Sequence, residues 1–453
     1  MNIVLLSGGS GKRLWPLSNE IRSKQFLKLL SDEDGGHESM VQRVYRQIAK
    51  AGINADIVVA TSATQVESIR GQLPDDVDIV VEPERRNTFP AIVLAASYLE
   101  SRKKMDPEET VIVLPVDPYV DVEYFETFKT MDARVQQGGA DIVLMGITPS
   151  YPSEKYGYII PGEGGRVTGF KEKPDEATAR ELIGRGALWN AGVFAFSLKY
   201  LMGIADKYVQ SREFSDVIAH YADLKKDSFD YEVVEKADAL AVVPYSGAWK
   251  DIGTWNTLTE EMKEESIGDV IMGEACVNTH VINELSIPVV VLGTQDLVVA
   301  AGQDGILVSD KHKSSYIKPH VENIDKRPMY EERRWGEYKV YDYSQYADGT
   351  KSLTKHVTIN AGCAQDYHVH KYKDEVITVA NGQGELVVDG CLMKLSRGDT
   401  ISIRRKQKHA IRAFEDLQLI SVQISEDNTE GDTEVFDWSW SARAAEGSDG
   451  KSQ

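Results

Sequence analysis

Up to about Trp255 the chain alternates short apolar runs with helical patterns, and that alternation admits few architectures. Strand-like runs at Ile3 to Leu6, Ile57 to Ala60, Ile79 to Val81, Val111 to Pro115 and Ile142 to Gly146 are separated by helical stretches at Ser39 to Ala51, Ala63 to Gln72, Pro90 to Lys103 and Val122 to Gln137. Strands interleaved with helices pair mainly in parallel and are covered on both faces, so an α/β sheet is predicted. Ligand loops of such a sheet lie outside the C-terminal strand ends.

The first of these ends carries an unusual loop. Ile3 to Leu6 run into Ser7, Gly8, Gly9 and Gly11, and Lys12, Arg13 and Lys24 follow. The glycines let the backbone turn tightly with its N–H groups free to face anionic oxygens, and the three cations add charge. A Walker-type loop is excluded, because Lys12 is followed by Arg13 and the residue five before Gly11 is Leu6. A Rossmann fingerprint is excluded as well: it would need a small residue at Leu14, and Trp15-Pro16 interrupts the helix that should start there. What remains, Gly-Gly-Ser-Gly-Lys-Arg-Leu-Trp-Pro-Leu-Ser followed by Ser-Lys-Gln-Phe-Leu, resembles the opening of the sugar-phosphate nucleotidyltransferases, and within them the mannose-1-phosphate guanylyltransferases. Lys12 and Ser23 replace the family's usual Thr and Pro. The resemblance implies a Rossmann-like, GT-A-like mixed-sheet domain over residues 1–262, with Leu6, Ser7, Gly8, Gly9, Gly11 and Lys12 at the nucleotide.

Further motifs follow in the family's order. Glu82 to Ala91 lies between a strand and a helix and is similar to a family segment that holds base and phosphates, which implies roles for Arg86, Asn87 and Thr88. Asn87 or Thr88 could equally cap the helix starting at Pro90. Val111 to Val120 is a buried strand ending in Asp117, which suits Mg²⁺, an ion that takes one or two carboxylates with waters and phosphates. A turn-forming Asp before Pro118 is the plainer alternative, and Pro118 departs from the family's pattern. Trp249 to Trp255 is similar to the family's Trp-x-Asp-Val-Gly-Ser/Thr-Trp, and the resemblance makes Asp251 the second Mg²⁺ anchor. Segments containing Tyr156 and Gly157, Glu172 and Lys173, and Asn190 and Gly192 match those lining the sugar-phosphate pocket. A carboxylate such as Glu172 accepts paired hydrogen bonds from sugar hydroxyls and Lys173 suits a phosphate, although each could be a surface charge. Arg13, Lys24, Asp117 and Asp251 are the expected catalytic residues.

Composition narrows the setting. The 453 residues carry 71 Asp+Glu against 51 Lys+Arg, a net charge of -20, so two or three domains are expected and an extended nucleic-acid backbone would be repelled. No apolar run reaches the roughly 18 residues of a membrane span, and the N-terminal apolar stretch is too short for a signal peptide, so a soluble cytoplasmic protein is expected. Cys276, Cys363 and Cys391 are too few and scattered for a disulfide framework or a thiolate metal site.

Beyond Trp255, Glu260 to Glu265 reads as a charged helical stretch, and Val270 to Val308 as β-rich segments broken by glycines and Asn278. This resembles the sheet extension that follows the transferase domain in the family, expected over 263–325. Lys318 to Met329 reads as a linker. A second module over 326–426 contains Gly362, His368-Val369-His370, Glu375 and Gly382 at the spacing of the first cupin motif, which implies a small two-sheet β-barrel. His368 and His370 project from one strand face, and Glu375, or Asp374 beside it, and His409 would complete a metal set; each His taken alone could be a solvated surface group. Zn²⁺ is the first expectation, with Mn²⁺, Fe²⁺ or Ni²⁺ as alternatives. Together with the opening at Arg333 to Tyr338, the module resembles the isomerase-like domain of bifunctional mannose-1-phosphate guanylyltransferase/mannose-6-phosphate isomerases, with Arg334 and Lys371 departing from its pattern. An acidic, disordered tail is expected over 427–453.

The resemblance implies Mg²⁺-dependent synthesis of GDP-mannose from GTP and mannose 1-phosphate, by attack of the sugar-phosphate oxygen on the α-phosphorus, in a homodimer. A pyrophosphorylase for another base or sugar, and a non-catalytic sugar-nucleotide sensor, are the alternatives; retention of Lys24, Asp117 and Asp251 argues against the sensor.

Overall fold

The computed structural model describes residues 1–9, 11–324, 326–426 and 432–440, and the chain divides into two units, Met1–Asp325 and Lys326–Gln453. A nine-stranded sheet organises the first. Its strands are β1 (Asn2–Leu6), β2 (Asp56–Ser62), β3 (Asp78–Glu82), β4 (Thr110–Pro115), β5 (Ile142–Ile147), β6 (Tyr158–Pro161), β7 (Val167–Lys171), β8 (Leu188–Ser197) and β9 (Leu240–Tyr245). They run in the order β7-β6-β8-β4-β1-β2-β3, with β5 also paired to β8 and β9 paired to β5. Neighbours β4, β1, β2 and β3 are parallel, whereas β8 runs antiparallel to β4, β5 and β6, so the sheet is mixed.

Both faces of this sheet are covered, which is why its strands read as unbroken apolar runs. Ile3 and Leu5 of β1 face α1 (Met40–Lys50), and Val4 faces α2 (Thr88–Ser101); α3 (Val122–Gln137) covers the same face as α1. Ser39 caps α1 through a reciprocal pair with Gln42, satisfying two otherwise orphaned backbone donors. Helix α2 starts at Thr88, two residues before Pro90, because Asn87 adopts φ +74° and its side chain accepts the Thr88 N–H. Glu260 to Glu265 is not helical: the helix there is Trp255–Thr259, which ends as the like-charged pairs Glu260/Glu264 and Glu261/Glu265 would begin to stack.

The β-rich extension belongs to this first unit. Ser266–Ile267, His280–Asn283 and Leu297–Gly302 pair in parallel, and Val270–Met272 pairs in parallel with Val289–Val291, so successive turns of chain stack on one another. Ile282, Val298 and Ala300 pack with Leu14, Leu17 and Trp255, joining extension and phosphate loop in one core. Part of the stretch read as a linker is folded too. Lys318–Val321 is a short helix with Pro319 in its first turn, where a missing N–H costs nothing, and Val321 is buried.

The second unit is the two-sheet β-barrel. Its six-stranded sheet includes β10 (Lys351–Ile359), β12 (Lys373–Asn381) and β14 (Leu417–Ser425), and its five-stranded sheet includes β11 (Tyr367–His370), β13 (His409–Ala413) and β15 (Thr433–Phe436). One half of the barrel interior is apolar, from Leu353 and Val357 to Ile411 and Leu419. Strand β15 departs from the expected disordered tail: it pairs with β11, and Phe436, Trp438 and Trp440 pack on Tyr367, Val387 and Ala410. Residues 427–431 and 441–453 lie outside the described residues.

Candidate active site

Asp117 and Asp251, 134 positions apart in sequence, are brought together by a two-stranded ribbon. Pro118–Val120 pairs antiparallel with Trp249–Asp251, with Pro118 opposite Asp251. Pro118, the departure from the family's pattern, sits at the first residue of its strand, a position that tolerates the lost donor. Lys24 Nζ lies 2.9 Å from Asp117 Oδ2 and 3.6 Å from Asp251 Oδ1, and that Asp251 oxygen accepts no hydrogen bond. Burial alone would pull the Lys24 ammonium down, but the two carboxylates outweigh it and hold its pKa above the ordinary value. Asp117 mirrors this: burial pushes its carboxyl up, and Lys24 outweighs burial and holds it down. Two adjacent carboxylates with an unsatisfied oxygen fit a hard divalent cation.

The Gly-rich loop forms one cleft beside this pair, of about 250 Å³, lined by Gly8, Gly9, Gly11, Lys12, Arg13, Lys24, Gln25, Asp117 and Lys318. Its shape is set by packing: a Cβ on Gly11 would come within 2.7 Å of Ser23 Cα. Ser7 is buried and its carbonyl accepts from Gln25 Nε2 and Thr61 Oγ1, so it anchors the loop; Leu6 ends β1 just before it. Arg13 reaches toward the ribbon, where a Cβ on Gly253 would lie 3.6 Å from its Nη1 and 3.0 Å from Asp251 Oδ1.

A second cleft, of about 350 Å³, shares Asp117 and holds Tyr156, Gly157, Glu172, Lys173, Asn190, Gly192 and Asp251, so all six residues expected at the sugar phosphate converge. Glu172 is buried, its Oε1 bonded to Lys173 Nζ at 2.7 Å and its Oε2 unpartnered. Gly157 leaves room for that free oxygen, which a Cβ there would overlap and displace. Asn190 Oδ1 accepts the Gly192 N–H, and its Nδ2 donates to Asp230 Oδ1 at 2.6 Å. Asp230 was not foreseen from sequence. Burial, with the charge of Glu172 beside it, pushes its carboxyl up to about 6.

Arg86, Asn87 and Thr88 have structural partners. Arg86 donates to the Leu224 carbonyl and to Glu84, Asn87 caps α2, and Thr88 Oγ1 accepts the Phe229 N–H. These bonds hold the segment 224–229 that delivers Asp230. None of the three lines the phosphate-loop cleft.

In the second unit His368, His370 and His409 bring ligand atoms within 4.8 Å of one another. His368 lies opposite His409 across the β11–β13 pairing. The Nδ1 atoms of His368 and His409 lie 2.7 and 3.0 Å from the Asp366 and Gln407 carbonyls, which aims both Nε2 atoms inward. Glu375 Oε2 stands 3.4 Å from His370 Nε2 and 3.6 Å from His409 Nε2, while Ser421 and Gln423 donate to Oε1. Asp374 instead accepts the Arg405 N–H and faces Arg404 and Arg405. Burial keeps His368 neutral, with its pKa pushed down to about 3. Three imidazoles with a carboxylate fit a divalent transition metal. Lys355, opposite Ser421 and on the inner face with it, was also not foreseen; burial pulls it down to about 8.

Residues 2–266 match the family model described as nucleotidyl transferase, and residues 355–422 match the cupin domain. The xanthan biosynthesis protein XanB of Xanthomonas campestris pv. campestris (strain B100) is 30% identical, over 95% of this chain and 97% of that protein. A mannose-1-phosphate guanylyltransferase of Salmonella montevideo is 29% identical, over 90% and 92%. A solved structure described as mannose-1-phosphate geranyltransferase from Thermus thermophilus has a TM-score of 0.60 at 29% identity, covering 72% of this chain and 99% of that one.

Proposed function

The chain belongs to the nucleotidyl transferase family, and on that premise we propose that it makes GDP-mannose and diphosphate from GTP and α-D-mannose 1-phosphate. One observation carries this reading: a cationic Gly-rich cleft and a hydroxyl-binding carboxylate cleft meet at Asp117. The choice of GTP and mannose 1-phosphate rests on the guanylyltransferase relative.

The nucleotide's phosphates lie along Gly8, Gly9 and Gly11 and meet Arg13, so that backbone N–H groups and the guanidinium serve the anionic oxygens. Arg86, Asn87 and Thr88 shape the nucleotide end by fixing the turn into α2. The hexose sits in the second cleft, its hydroxyls donating to Glu172 Oε2 and to Asp230, its phosphate against Lys173. Gly157 and Gly192 let the backbone approach it, and Tyr156 forms an aromatic wall with Trp189 and Trp249. The phosphate oxygen of the sugar then attacks the α-phosphorus and diphosphate leaves in line, with no covalent nucleophile from the protein. Lys24, fully protonated beside its carboxylates, offsets the charge that spreads over the equatorial oxygens. Asp117 and Asp251 would hold Mg²⁺, which when bound supplies further charge neutralisation at the phosphates.

The test is direct. The protein is incubated with Mg²⁺, each of four nucleoside triphosphates and each of several hexose 1-phosphates, and diphosphate release is measured. Release with GTP and mannose 1-phosphate above all other pairs is expected; release with another pair would reassign the substrates, and none with any pair would point to a sensor.

The His368, His370, His409 and Glu375 cluster favours a second activity, interconversion of mannose 6-phosphate and fructose 6-phosphate at a Zn²⁺ or related transition-metal site. Metal-loaded protein that makes nucleotide sugar yet leaves mannose 6-phosphate unchanged would exclude it. A soluble cytoplasmic homodimer is proposed, with sedimentation as its test; no helix among the described residues is long and apolar enough to cross a membrane.

A further inference from the structure

The phosphate-loop cleft takes three of its four cations from one loop and the fourth, Lys318, from the far end of the extension, beyond the segment that matches the transferase family. That end is fastened to the loop. Arg22 forms a two-point ion pair with Glu284 at 2.8 and 3.0 Å, and Asn19 Nδ2 donates to Asp304 at 2.8 Å. The backbone at Gly305 lies so close to Trp15 that a Cβ would come within 2.5 Å of the indole, and one on Gly302 within 2.7 Å of Leu17.

Lys12, which stands where the family has Thr, is part of the same fastening. Its Nζ donates to the Glu322 carbonyl at 3.1 Å and the Ile324 carbonyl at 3.4 Å, at the C-terminal end of the Lys318–Val321 helix, where orphaned carbonyls favour a cation. Lys12 is therefore committed to the protein's own oxygens. Lys318 is held far more loosely: its ion pair with the exposed Glu322 is 3.9 Å long, and its side chain is more than half exposed.

We propose that Lys318 binds the β- and γ-phosphates of the nucleoside triphosphate, the part that leaves as diphosphate, and that Lys12 places it there by clamping the segment 318–324. This rests on the nucleotidyl transfer proposed above. The assignment to the leaving end follows from position. Asp117 lines both clefts and marks the reacting α-phosphorus, whereas Lys318 lines the loop cleft and not the sugar cleft. As the bond from the sugar-phosphate oxygen to the α-phosphorus forms, the bond from that phosphorus to the bridging oxygen breaks. Its electron pair goes to the diphosphate, whose added charge the Lys318 ammonium meets.

The test uses the full chain with Lys318→Ala and Lys318→Arg. Charge-assisted contacts of this kind change affinity by about tenfold. Lys318→Ala should raise KM for diphosphate in the reverse reaction and for triphosphate in the forward one by about that factor, leave KM for hexose 1-phosphate unchanged, and be rescued by Lys318→Arg. An unchanged diphosphate KM, or equal rises for diphosphate and sugar, would overturn the proposal. Inorganic diphosphate titrated calorimetrically into wild type and Lys318→Ala, each first checked as folded by circular dichroism, reads the same contact without turnover. If no substrate pair reacts, the transfer reading fails, yet weaker diphosphate binding by the variant still supports Lys318 and equal binding still sinks it.

Discussion

The two sites of this chain are assembled in opposite ways. The proposed transferase site, two clefts that share Asp117, collects Lys24, Glu172, Asp230, Asp251 and Lys318 around it from nearly three hundred residues of chain, through loops, a short ribbon and an added extension. The barrel site takes His368, His370 and His409 from two paired strands of one sheet and Glu375 from a strand of the other, all within some forty residues. In the first, charges already offset one another, with Lys24 occupying the position between two carboxylates. In the second, three imidazoles and a carboxylate converge, so its polar half gains most from a ligand. The transferase site should therefore fail residue by residue in catalysis with its fold intact, and the barrel site should fail as a unit in metal binding.

The sharpest break of that contrast would come from Lys24→Ala. Removing one preorganised cation at a phosphoryl-transfer site should lower kcat by about a hundredfold or more. The folded state should survive with a modest loss of stability, since the two carboxylates left without their cation are each more than a third exposed to water. Rapid-quench or diphosphate-release kinetics together with thermal melts measure both; unchanged turnover would remove Lys24 from the reaction.

Next in size, His368→Ala or His370→Ala should cost at least about a hundredfold in transition-metal affinity, more than loss of an outer partner of a ligand would. Nucleotide-sugar formation should stay at the wild-type rate. Metal content by mass spectrometry after dialysis against a chelator, read beside diphosphate release, checks it. A barrel that retains its metal without His368 would deny the cluster its role.

A smaller effect sharpens the description of the sugar cleft. Gly157→Ala drives a methyl group into Glu172 Oε2, and Glu172 is buried and tied to Lys173, so the carboxylate must turn. Overpacking of this size costs about 1–3 kcal/mol, and the expected result is a rise of about tenfold in KM for hexose 1-phosphate with KM for triphosphate unchanged. Equal rises in both would show the two clefts to be one.

The same contrast explains what could be read from the sequence. Strand and helix alternation exposed the sheet because buried strands and amphipathic helices carry their period with them. The barrel site was legible because two residues apart on a strand means one face, and the same rule decides between Asp374 and Glu375: Glu375 shares parity with the apolar Ile377 and Val379, and it faces inward with them. Asp117 and Asp251 were reached by motif, since nothing local says that residues this far apart share a ribbon. Asp230 and Lys318 were not legible. Asp230 lies in Phe-Asp-Tyr, where the buried position of its neighbour Phe229 carries the periodic signal, and Lys318 stands before Pro319, which reads as a breaker although it opens a helix.

Asp230 also provides the smallest and most specific test, through pH. Its carboxyl titrates at about 6 in the folded protein, raised from an ordinary 3.8 by burial and by Glu172. Between those values the folded state binds a proton that the unfolded chain does not, so stability is greatest below the unfolded pKa and is lost as pH rises through about 6. The loss attributable to this group is at most about 3 kcal/mol, with the hydrogen bond that Asn190 donates to the ionised form already offsetting part of the burial cost. Asp230→Asn should flatten that part of the profile, measured as denaturant midpoint from pH 4.5 to 7.5, and gain stability over wild type at neutral pH. If Asp230 serves the sugar hydroxyls, the same variant should raise KM for hexose 1-phosphate at pH 7.5, so the site is more stable without the group that makes it specific. A variant that gains stability and keeps its KM would leave the strained carboxyl without a role in the sugar cleft, and Glu172 as the acceptor there.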